Sequence, residues 1–286
     1  MHVQSIPRAV VFALALCCWS TASLAANDQR IGDEQYKPYV GQPGKDVIWV
    51  PTPDTMVDEM IRVAGVGPHD LVVDLGAGDG KIAIAAARQR GARAIGIEYD
   101  PAMAALAKRN VLRAGVADKV TIIEGDLFKA DFSKATVVMM YLLPELNMRL
   151  KPVLKAMRPG TRIVSHSFDM ETWVPDERIE TSTATGHVWI VPVNAQGTWA
   201  ITLSDQRKGR LTLKQIHQEL SGEITLDGKS YPIEQGKVRG YGVSLQFKGG
   251  SDLPIAFNGQ VINQQITGAF QHNGQQLLLE GRKASK

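Results

Sequence analysis

Cysteine is almost missing from this chain of 286 residues, and the only two, Cys17 and Cys18, lie near the N-terminus. From residue 27 onward there is none. This part of the chain therefore forms no disulfide and offers neither a thiol nucleophile nor a cysteine-ligated metal site. Its fold depends on an ordinary hydrophobic core, for which a hydrophobic content of 44% is sufficient.

Long hydrophobic runs are also scarce, and the main one covers residues 9–19. It follows Arg8 and precedes the small-x-small sequence Ser23–Leu24–Ala25, which is typical of a signal peptidase site. We therefore predict that residues 1–26 are a secretory signal peptide and that the protein is exported to the periplasm. The run is short for a membrane span, which favours the cleaved signal peptide. An uncleaved inner-membrane anchor is the alternative.

Charge of one sign is not in large excess. The formal net charge is +3, and Arg8 is the only charged residue of the first 26, which leaves +2 for the rest. This balance does not favour nucleic acid as a partner. The length is typical of two domains.

Glycines at every second position mark the most informative stretch. An apolar strand ending in Asp74 is followed by Gly76, Gly78 and Gly80, and a helix begins at Lys81. A strand, a glycine turn and a helix form the nucleotide-binding unit of doubly wound sheets. A dinucleotide site reads G-x-G-x-x-G, whereas here the third glycine comes one residue early. An acid at the strand end repels a pyrophosphate and suits an amine-bearing cation. The pattern resembles motif I of the class I S-adenosylmethionine (SAM) methyltransferases.

Two further acids follow strands of the same predicted sheet. Glu98 ends a strand over residues 93–98, where a carboxylate accepts hydrogen bonds from ribose hydroxyls. Asp126 and Leu127 follow the next strand, and the methyltransferase resemblance implies that they meet the adenine amino group and ring. The predicted cofactor is SAM, held by Asp74, Gly76, Gly78, Asp79, Gly80, Glu98, Asp126 and Leu127.

Strands and helices alternate through the middle of the chain, which predicts a parallel sheet. The remaining strands of this sheet are predicted at residues 119–124, 135–140 and 162–165, with a closing hairpin at 179–181 and 188–191. Helices are predicted over 101–113 and 144–157, the second interrupted near Pro152. The fold class is therefore α/β, with the Rossmann-like seven-stranded sheet of class I methyltransferases over residues 51–194.

The segment before this domain, residues 27–50, is polar and irregular and is predicted to wrap over the ligand cleft. Pro51–Thr52–Pro53 leads into a helix, with Thr52 as the expected N-cap and Pro53 at the first helical position. We consider both a sheet-covering role for this helix and a contact of the Pro–Thr–Pro turn with the methionine end of SAM.

Residues 195–286 show short alternating segments separated by glycine, asparagine and aspartate, and no helical period. This pattern predicts a small antiparallel β barrel or sandwich. Strands are expected near 198–203, 210–213, 222–228, 238–245, 255–257, 261–268 and 276–279. No ligand set is evident there, and substrate docking, dimerisation and stability all remain open as its role.

Methyl transfer requires alignment of the acceptor with the sulfonium methyl and loss of a proton from an amine acceptor. Tyr141, after the fourth strand, is a candidate for positioning the acceptor, and His166, after the fifth, is a candidate base. Glu145 is either a proton acceptor or a helix-dipole partner. Trp173 is a candidate for the substrate entrance.

Residues 48–175 resemble the ATP synthase c-subunit lysine methyltransferase group and its bacterial relatives. The motifs that carry the resemblance are residues 50–53, 74–82, 96–98, 126–128, 141–144 and 159–165. The resemblance implies N-methylation of a protein lysine and a protein acceptor. A small-molecule N- or O-methyltransferase and a non-catalytic envelope binding module with a retained SAM pocket are the alternatives.

Overall fold

The computed structural model describes residues 32–248, 254–272 and 275–284. The predicted signal peptide, residues 1–26, lies outside the described residues. The α/β part contains four helices and seven strands: α1 (Asp54–Val63), β1 (Leu71–Leu75), α2 (Lys81–Arg90), β2 (Arg93–Glu98), α3 (Pro101–Arg113), β3 (Val120–Glu124), β4 (Val137–Met140), α4 (Pro144–Lys155), β5 (Arg162–His166), β6 (Glu177–Glu180) and β7 (Thr185–Ile190). No helix in the described ranges is both long and apolar enough to cross a membrane.

The seven strands form one sheet in the order β3-β2-β1-β4-β5-β7-β6. The first five are parallel, β7 runs antiparallel to β5, and β6 pairs antiparallel with β7. The strand order reverses between β1 and β4, which is where open α/β sheets bind their ligands, outside the carboxyl ends of the strands. The predicted fold class is confirmed.

Helices cover both faces of the sheet because its central strands are apolar on both sides. Met56, Met60 and Ile61 of α1 pack on one face together with α2 and α3. On the other face, Leu150 and Leu154 of α4 reach a second cluster. These two cores fix the carboxyl ends of β1, β2 and β4 relative to one another.

Two details of the helices differ from the sequence-based expectation. Pro53, not Thr52, is the N-cap of α1, and no side chain caps that end, because the Thr52 hydroxyl bonds elsewhere. Helix α4 continues through Pro152 without interruption. A proline removes one backbone hydrogen bond, and here it lies in the last turn, between the buried side chains of Leu150 and Leu154.

The C-terminal region is a closed barrel of eight antiparallel strands and not a sandwich. Its strands are β8 (Gly197–Leu203), β9 (Lys208–Ile216), β10 (Glu219–Leu226), β11 (Lys229–Arg239), β12 (Gly242–Lys248), β13 (Pro254–Ile262), β14 (Gln265–His272) and β15 (Gln275–Lys283). Each strand pairs with the next, and β8 closes the barrel against β15. The buried side chains of this region form one apolar cluster that includes Trp199, Phe247 and Phe257.

Two of the predicted barrel strands are wrong, because each spans a turn. The segment 238–245 contains the turn between β11 and β12, where Gly240 has a φ of 60°. The segment 261–268 contains the two-residue turn between β13 and β14. Both turn residues, Asn263 and Gln264, have positive φ, as a type I′ hairpin requires. Strand β11 was not foreseen before residue 238.

The barrel lies against the end of the sheet opposite the ligand-binding edge. A Cβ added to Gly160, just before the start of β5, would lie 3.6 Å from Cε2 of Tyr241. The Val193 amide donates to the Gly240 carbonyl at 2.7 Å, and the Gln218 amide group donates to the carbonyl of Val174. Because β5 begins at this end, the barrel contacts lie far from the carboxyl ends of the parallel strands.

Candidate functional site

A cleft opens at the carboxyl ends of β1, β2 and β4. Its floor is the glycine turn after β1, and its sides come from the residues after β2, β3 and β4. Residues 42–52 also line it. Part of the segment predicted to cover the ligand, residues 27–50, therefore lies at the cleft, and we call this segment the wrap. The lining includes Asp74, Gly76, Gly78, Asp79, Glu98, Asp126, Leu127, Tyr141, Leu142 and Phe168.

Asp74 is a fully buried carboxyl group at the end of β1. Its Oδ2 atom has no hydrogen-bond partner among the described residues. Burial, with smaller contributions from the nearby Glu98 and Asp79 carboxylates, raises the pKa of Asp74 to about 8. A buried carboxyl oxygen without a hydrogen-bond partner is costly, and an ammonium group entering the cleft would relieve that cost. The geometry therefore fits the predicted amine-bearing ligand.

The glycine turn brings the backbone close to whatever occupies the cleft. Gly76 has a φ of 80°, and a Cβ there would lie 3.0 Å from Leu142 Cδ2. Gly78 has a φ of 54°, and its Cβ would lie 2.7 Å from the indole nitrogen of Trp49. Both residues have the left-handed backbone that favours glycine. A side chain at either of these two positions would strain the backbone and crowd Leu142 or Trp49.

Gly80 has a different place from the other two glycines. It is the N-cap of α2, with a φ of 83°. A Cβ there would meet Ala107 and Ile122, so this glycine faces α3 and β3 and is absent from the lining of the cleft. Its contribution is the close packing of the turn on the core.

Glu98 is fixed by two backbone amides. Its Oε2 accepts a hydrogen bond from Gly78 N at 2.8 Å, and its Oε1 accepts one from Asp100 N at 2.9 Å. Burial raises its pKa, against the effect of these two donors. The remaining lone pairs face the cleft, where ribose hydroxyls can donate to them.

Asp79 lines the cleft at the last x position of the glycine turn. Its carboxylate accepts from Lys81 N at 3.2 Å, and its backbone carbonyl accepts from the Asn110 side chain at 2.8 Å. Burial raises the pKa of Asp79, and Lys81 opposes that effect. These bonds tie the turn to α2 and α3.

Asp126 and Leu127 line the far side of the cleft, after β3. Asp126 Oδ2 forms an ion pair with Lys45 of the wrap at 3.0 Å, and this hydrogen bond is the main reason that its pKa is lowered. The Lys45 ammonium also lies 4.5 Å from the centre of the Tyr99 ring. The wrap is thereby fastened across this side of the cleft.

Tyr141 and His166 come together, but only one of them reaches the cleft. Tyr141 lines it after β4. His166 is buried, lies behind the Tyr141 ring with 3.8 Å between ring centres, and is absent from the lining. Its Nδ1 lies 3.2 Å from the Thr52 hydroxyl. Burial lowers the pKa of His166 to about 4.

The other two sequence candidates lie away from the cleft. Glu145 is exposed in the first turn of α4, as expected of a helix-dipole partner. Trp173 is fully buried, packs on Trp189 and stacks on His217 of the barrel. It belongs to the contact between sheet and barrel and does not form a substrate entrance.

Several residues of the site were not found from the sequence. Trp49 covers Gly78, and Lys45 pairs with Asp126 across 81 residues. Asn147, fully buried in α4, donates to Ser165 Oγ and to the Phe168 carbonyl, each at 3.1 Å. It holds the loop that places Phe168 in the cleft. No sequence motif predicts these contacts, because each one joins two segments that are distant in the sequence.

The residues present fit SAM. A buried carboxyl group with an unpartnered oxygen suits the methionine ammonium, a fixed carboxylate suits the ribose, and Gly76 and Gly78 lie in the turn between them. The acids after β2 and β3 are on one side of the turn, and Tyr141 after β4 is on the other. The nucleoside would therefore lie toward β2 and β3, and the methionine end toward β1 and β4.

Comparison with known proteins agrees with this assignment. Residues 74–177 match the model of the ANTKMT methyltransferase domain. The chain is 43% identical over 136 residues to a protein-lysine N-methyltransferase of Saccharolobus islandicus (strain REY15A), covering 47% of this chain and 84% of that protein. It is 36% identical over 128 residues to the adenine nucleotide translocase lysine N-methyltransferase of Mus musculus, covering 44% of this chain and 55% of that protein.

Among solved structures, an RNA methyltransferase from Salinibacter ruber in complex with S-adenosyl-L-homocysteine is 49% identical. It covers 50% of this chain and 94% of its own, with a TM-score of 0.49. The family match ends at residue 177, before the barrel begins. On the family match, the archaeal relative and the cleft, the chain belongs to the ANTKMT methyltransferase family and is a SAM-dependent methyltransferase.

Proposed function

We propose that the protein transfers the methyl group of SAM to the side-chain amine of a protein lysine. The observation that carries this proposal is the 43% identity to an archaeal protein-lysine N-methyltransferase over 84% of that protein's length. The chain spans only about half of the length of the animal lysine methyltransferases that it also matches. The acceptor protein is therefore left to experiment.

The bound cofactor supplies an electrophilic methyl group, and the chain's own residues arrange the rest. Asp74 and Glu98 would hold the methionine and ribose parts of the cofactor, and two such contacts would restrict where its methyl group lies. Leu142, Leu143 and Phe168 form an apolar wall beside Tyr141. An apolar wall excludes water and lowers the pKa of a lysine that enters, which favours the neutral amine needed for attack.

We propose that the acceptor enters beside β4 and β5, and the strand order supports this. The nucleoside side of the cleft is occupied by the acids after β2 and β3, and by the wrap through Lys45. Tyr141 and Phe168, which follow β4 and β5, stand on the opposite side, with 6.4 Å between their ring centres. A flexible, unbranched lysine side chain passing these rings would reach the methionine end of the cofactor.

The test is transfer of tritiated methyl groups from SAM by the full chain to a total protein extract, followed by mass spectrometry of the labelled peptides. We expect methylated lysine in labelled protein, and loss of labelling with Glu98→Ala. Glu124→Ala is the matched control, because Glu124 pairs with Glu98 in the sheet register but is exposed outside the cleft.

Other outcomes would contradict the proposal. Label confined to small molecules would indicate a small-molecule methyltransferase, and label in RNA would indicate a nucleic-acid acceptor. SAM binding without any transfer would indicate a binding module that has kept its pocket.

We also propose that the protein is exported, on the sequence pattern of residues 1–26 alone. Cell fractionation with a C-terminal tag is the direct test. Periplasmic protein shortened by these residues would support cleavage and export, whereas a full-length membrane-bound form would support the anchor. Full-length protein in the cytosol would contradict both.

A further inference from the structure

Thr52 and His166 form a buried hydrogen bond that none of the predicted cofactor-binding residues shares. The Thr52 Oγ1 and His166 Nδ1 atoms are 3.2 Å apart, and the two residues are 114 positions apart in the sequence. Both side chains are buried. Thr52 lines the cleft just before α1, and His166 ends β5. The bond therefore joins two segments that the sheet alone does not bring together.

The imidazole of His166 also supports Tyr141. The two ring centres are 3.8 Å apart, with an interplanar angle of 38°. At this distance the two rings are in contact, and of the two only Tyr141 lines the cleft. His166 is held neutral by its burial, so no buried charge disturbs this contact. The Tyr141 ring therefore packs on a side chain that does not itself line the cleft.

Thr52 is fixed from the cofactor side as well. Its backbone carbonyl accepts a hydrogen bond from Lys81 Nζ at 3.2 Å, and Lys81 also pairs with Asp54 at 2.8 Å. Lys81 is the first residue of α2 and follows the glycine turn directly. One continuous set of contacts therefore leads from the glycine turn through Lys81, Thr52 and His166 to Tyr141.

We propose that Thr52 and His166 are positioning residues for methyl transfer. The Thr52 hydroxyl fixes the orientation of the imidazole, and the imidazole fixes the plane of Tyr141 beside the acceptor amine. The same contacts couple the segment that lines the cofactor cleft to the acceptor side, so that Tyr141 is aligned when the cofactor is held. The acceptor part of this inference rests on the proposed amine methylation, whereas the alignment of Tyr141 does not.

The variants that test it are Thr52→Val, which removes the hydroxyl at nearly constant volume, and Thr52→Ser, which restores it. With Thr52→Val we expect SAM affinity within about threefold of the parent and turnover at saturating SAM lowered about tenfold, because a misaligned group slows transfer without loosening the cofactor. Thr52→Ser is expected to recover most of the turnover. Methyl transfer is measured to the same protein extract as above.

A double-mutant cycle separates positioning from simple packing. His166→Phe keeps a ring behind Tyr141 but cannot bond to Thr52. If the hydroxyl acts through the imidazole, Thr52→Val has no further effect on turnover in the His166→Phe background. If the losses of turnover in Thr52→Val and His166→Phe add in the double variant, the proposal is overturned. It is also overturned if Thr52→Val lowers SAM affinity as much as it lowers turnover.

The last measurement needs no acceptor and thus remains decisive if the lysine proposal fails. Tyrosine is labelled with carbon-13 in the full chain, and the Tyr141 resonance is assigned with Tyr141→Phe. We expect SAM to shift this resonance in the parent and in Thr52→Ser, and the shift to be lost in Thr52→Val although SAM still binds. An unchanged shift in Thr52→Val would overturn the proposal.

Discussion

The seven-stranded sheet and the eight-stranded barrel contain similar numbers of strands but bury different side chains. Of the buried polar or charged residues among those described, all except Gln218 precede the barrel: they are Thr52, Asp74, Asn147, Thr161, Ser165, His166 and His187. Among the described barrel residues, Gln218 is the one buried polar side chain, and the others that are buried are apolar. Buried polar groups cost stability unless they are paired. Thr52 and Asp74 line the cleft, and Asn147 and His166 contact Phe168 and Tyr141, which also line it, so these four belong to the site.

The barrel has an apolar interior and lies outside the cleft. Large rings fill its interior, and the Trp199 indole donates to the Ala195 carbonyl at 3.0 Å. No barrel residue in the described ranges lines the cleft. The barrel is attached at the other end of the sheet, through Gly240 and Gln218. Changes in the two regions should therefore have separable effects.

The largest effect is expected from Asp74→Asn. SAM affinity should fall about a hundredfold, because a charge-assisted hydrogen bond to the ammonium is worth about 1.5–3 kcal/mol. At pH 7 the melting temperature of the cofactor-free protein should not fall, since Asp74 is already neutral there. Isothermal titration and thermal unfolding of the full chain check both points. A lower melting temperature with normal SAM affinity would reverse our interpretation of this acid.

Trp199→Ala should show the opposite pattern. Removing a fully buried indole from the barrel is expected to destabilise it by about 3–5 kcal/mol, measured by urea unfolding. SAM affinity should be unchanged under conditions in which the variant is folded. Leu278→Ala is the control, because this leucine is exposed on the barrel. A large loss of SAM affinity in folded Trp199→Ala would show that the regions are not independent.

The pH dependence of SAM binding is expected to report Asp74 directly. The folded pKa is raised to about 8, so below this pH the cofactor must displace a proton, and affinity should rise up to tenfold per pH unit toward pH 8. The same shift makes the cofactor-free protein less stable as the pH rises from about 4 to about 8. Titrations between pH 6 and 8 should therefore show proton release (on the order of one per SAM) in the parent and none in Asp74→Asn.

The smallest effect is expected from Lys45→Met. The ion pair with Asp126 is solvent-exposed enough that its loss should leave the melting temperature nearly unchanged. SAM affinity should rise by about threefold or less, because Asp126 is freed from its competing ammonium. Lys37→Met, at an exposed position of the same segment, is the control. A tenfold loss of affinity with Lys45→Met alone would instead make Lys45 a cofactor-binding residue.

The features that the sequence predicted correctly are those set by local pattern. Apolar runs that end in Asp74 and Glu98 define the central strands, and Asp100 caps α3 through its bond to Met103 N at 2.7 Å. Alternation in the C-terminal region was enough to predict an antiparallel β domain. Closure into a barrel depends on β8 pairing with β15, a contact across the whole domain that alternation does not encode.

The features that it missed are set by contacts between distant segments. Thr52 has the right residue type and place for a helix cap, yet its hydroxyl meets His166. Glycine usually follows asparagine in such hairpins, and here glutamine follows it. The sequence pattern therefore does not predict the turn at Asn263–Gln264. Pro152 suggested a break that buried neighbours on α4 prevent. In each case packing across the fold outweighs a local preference.

The central claim, that the cleft beside the glycine turn is the SAM site, is tested most directly by isothermal titration of the full chain with SAM. The parent and Glu98→Ala are compared with Glu124→Ala, whose carboxylate lies next to Glu98 in the register. We predict micromolar binding in the parent and in Glu124→Ala, and loss of about a hundredfold in Glu98→Ala. Equal binding by all three, or none by the parent, would contradict the assignment.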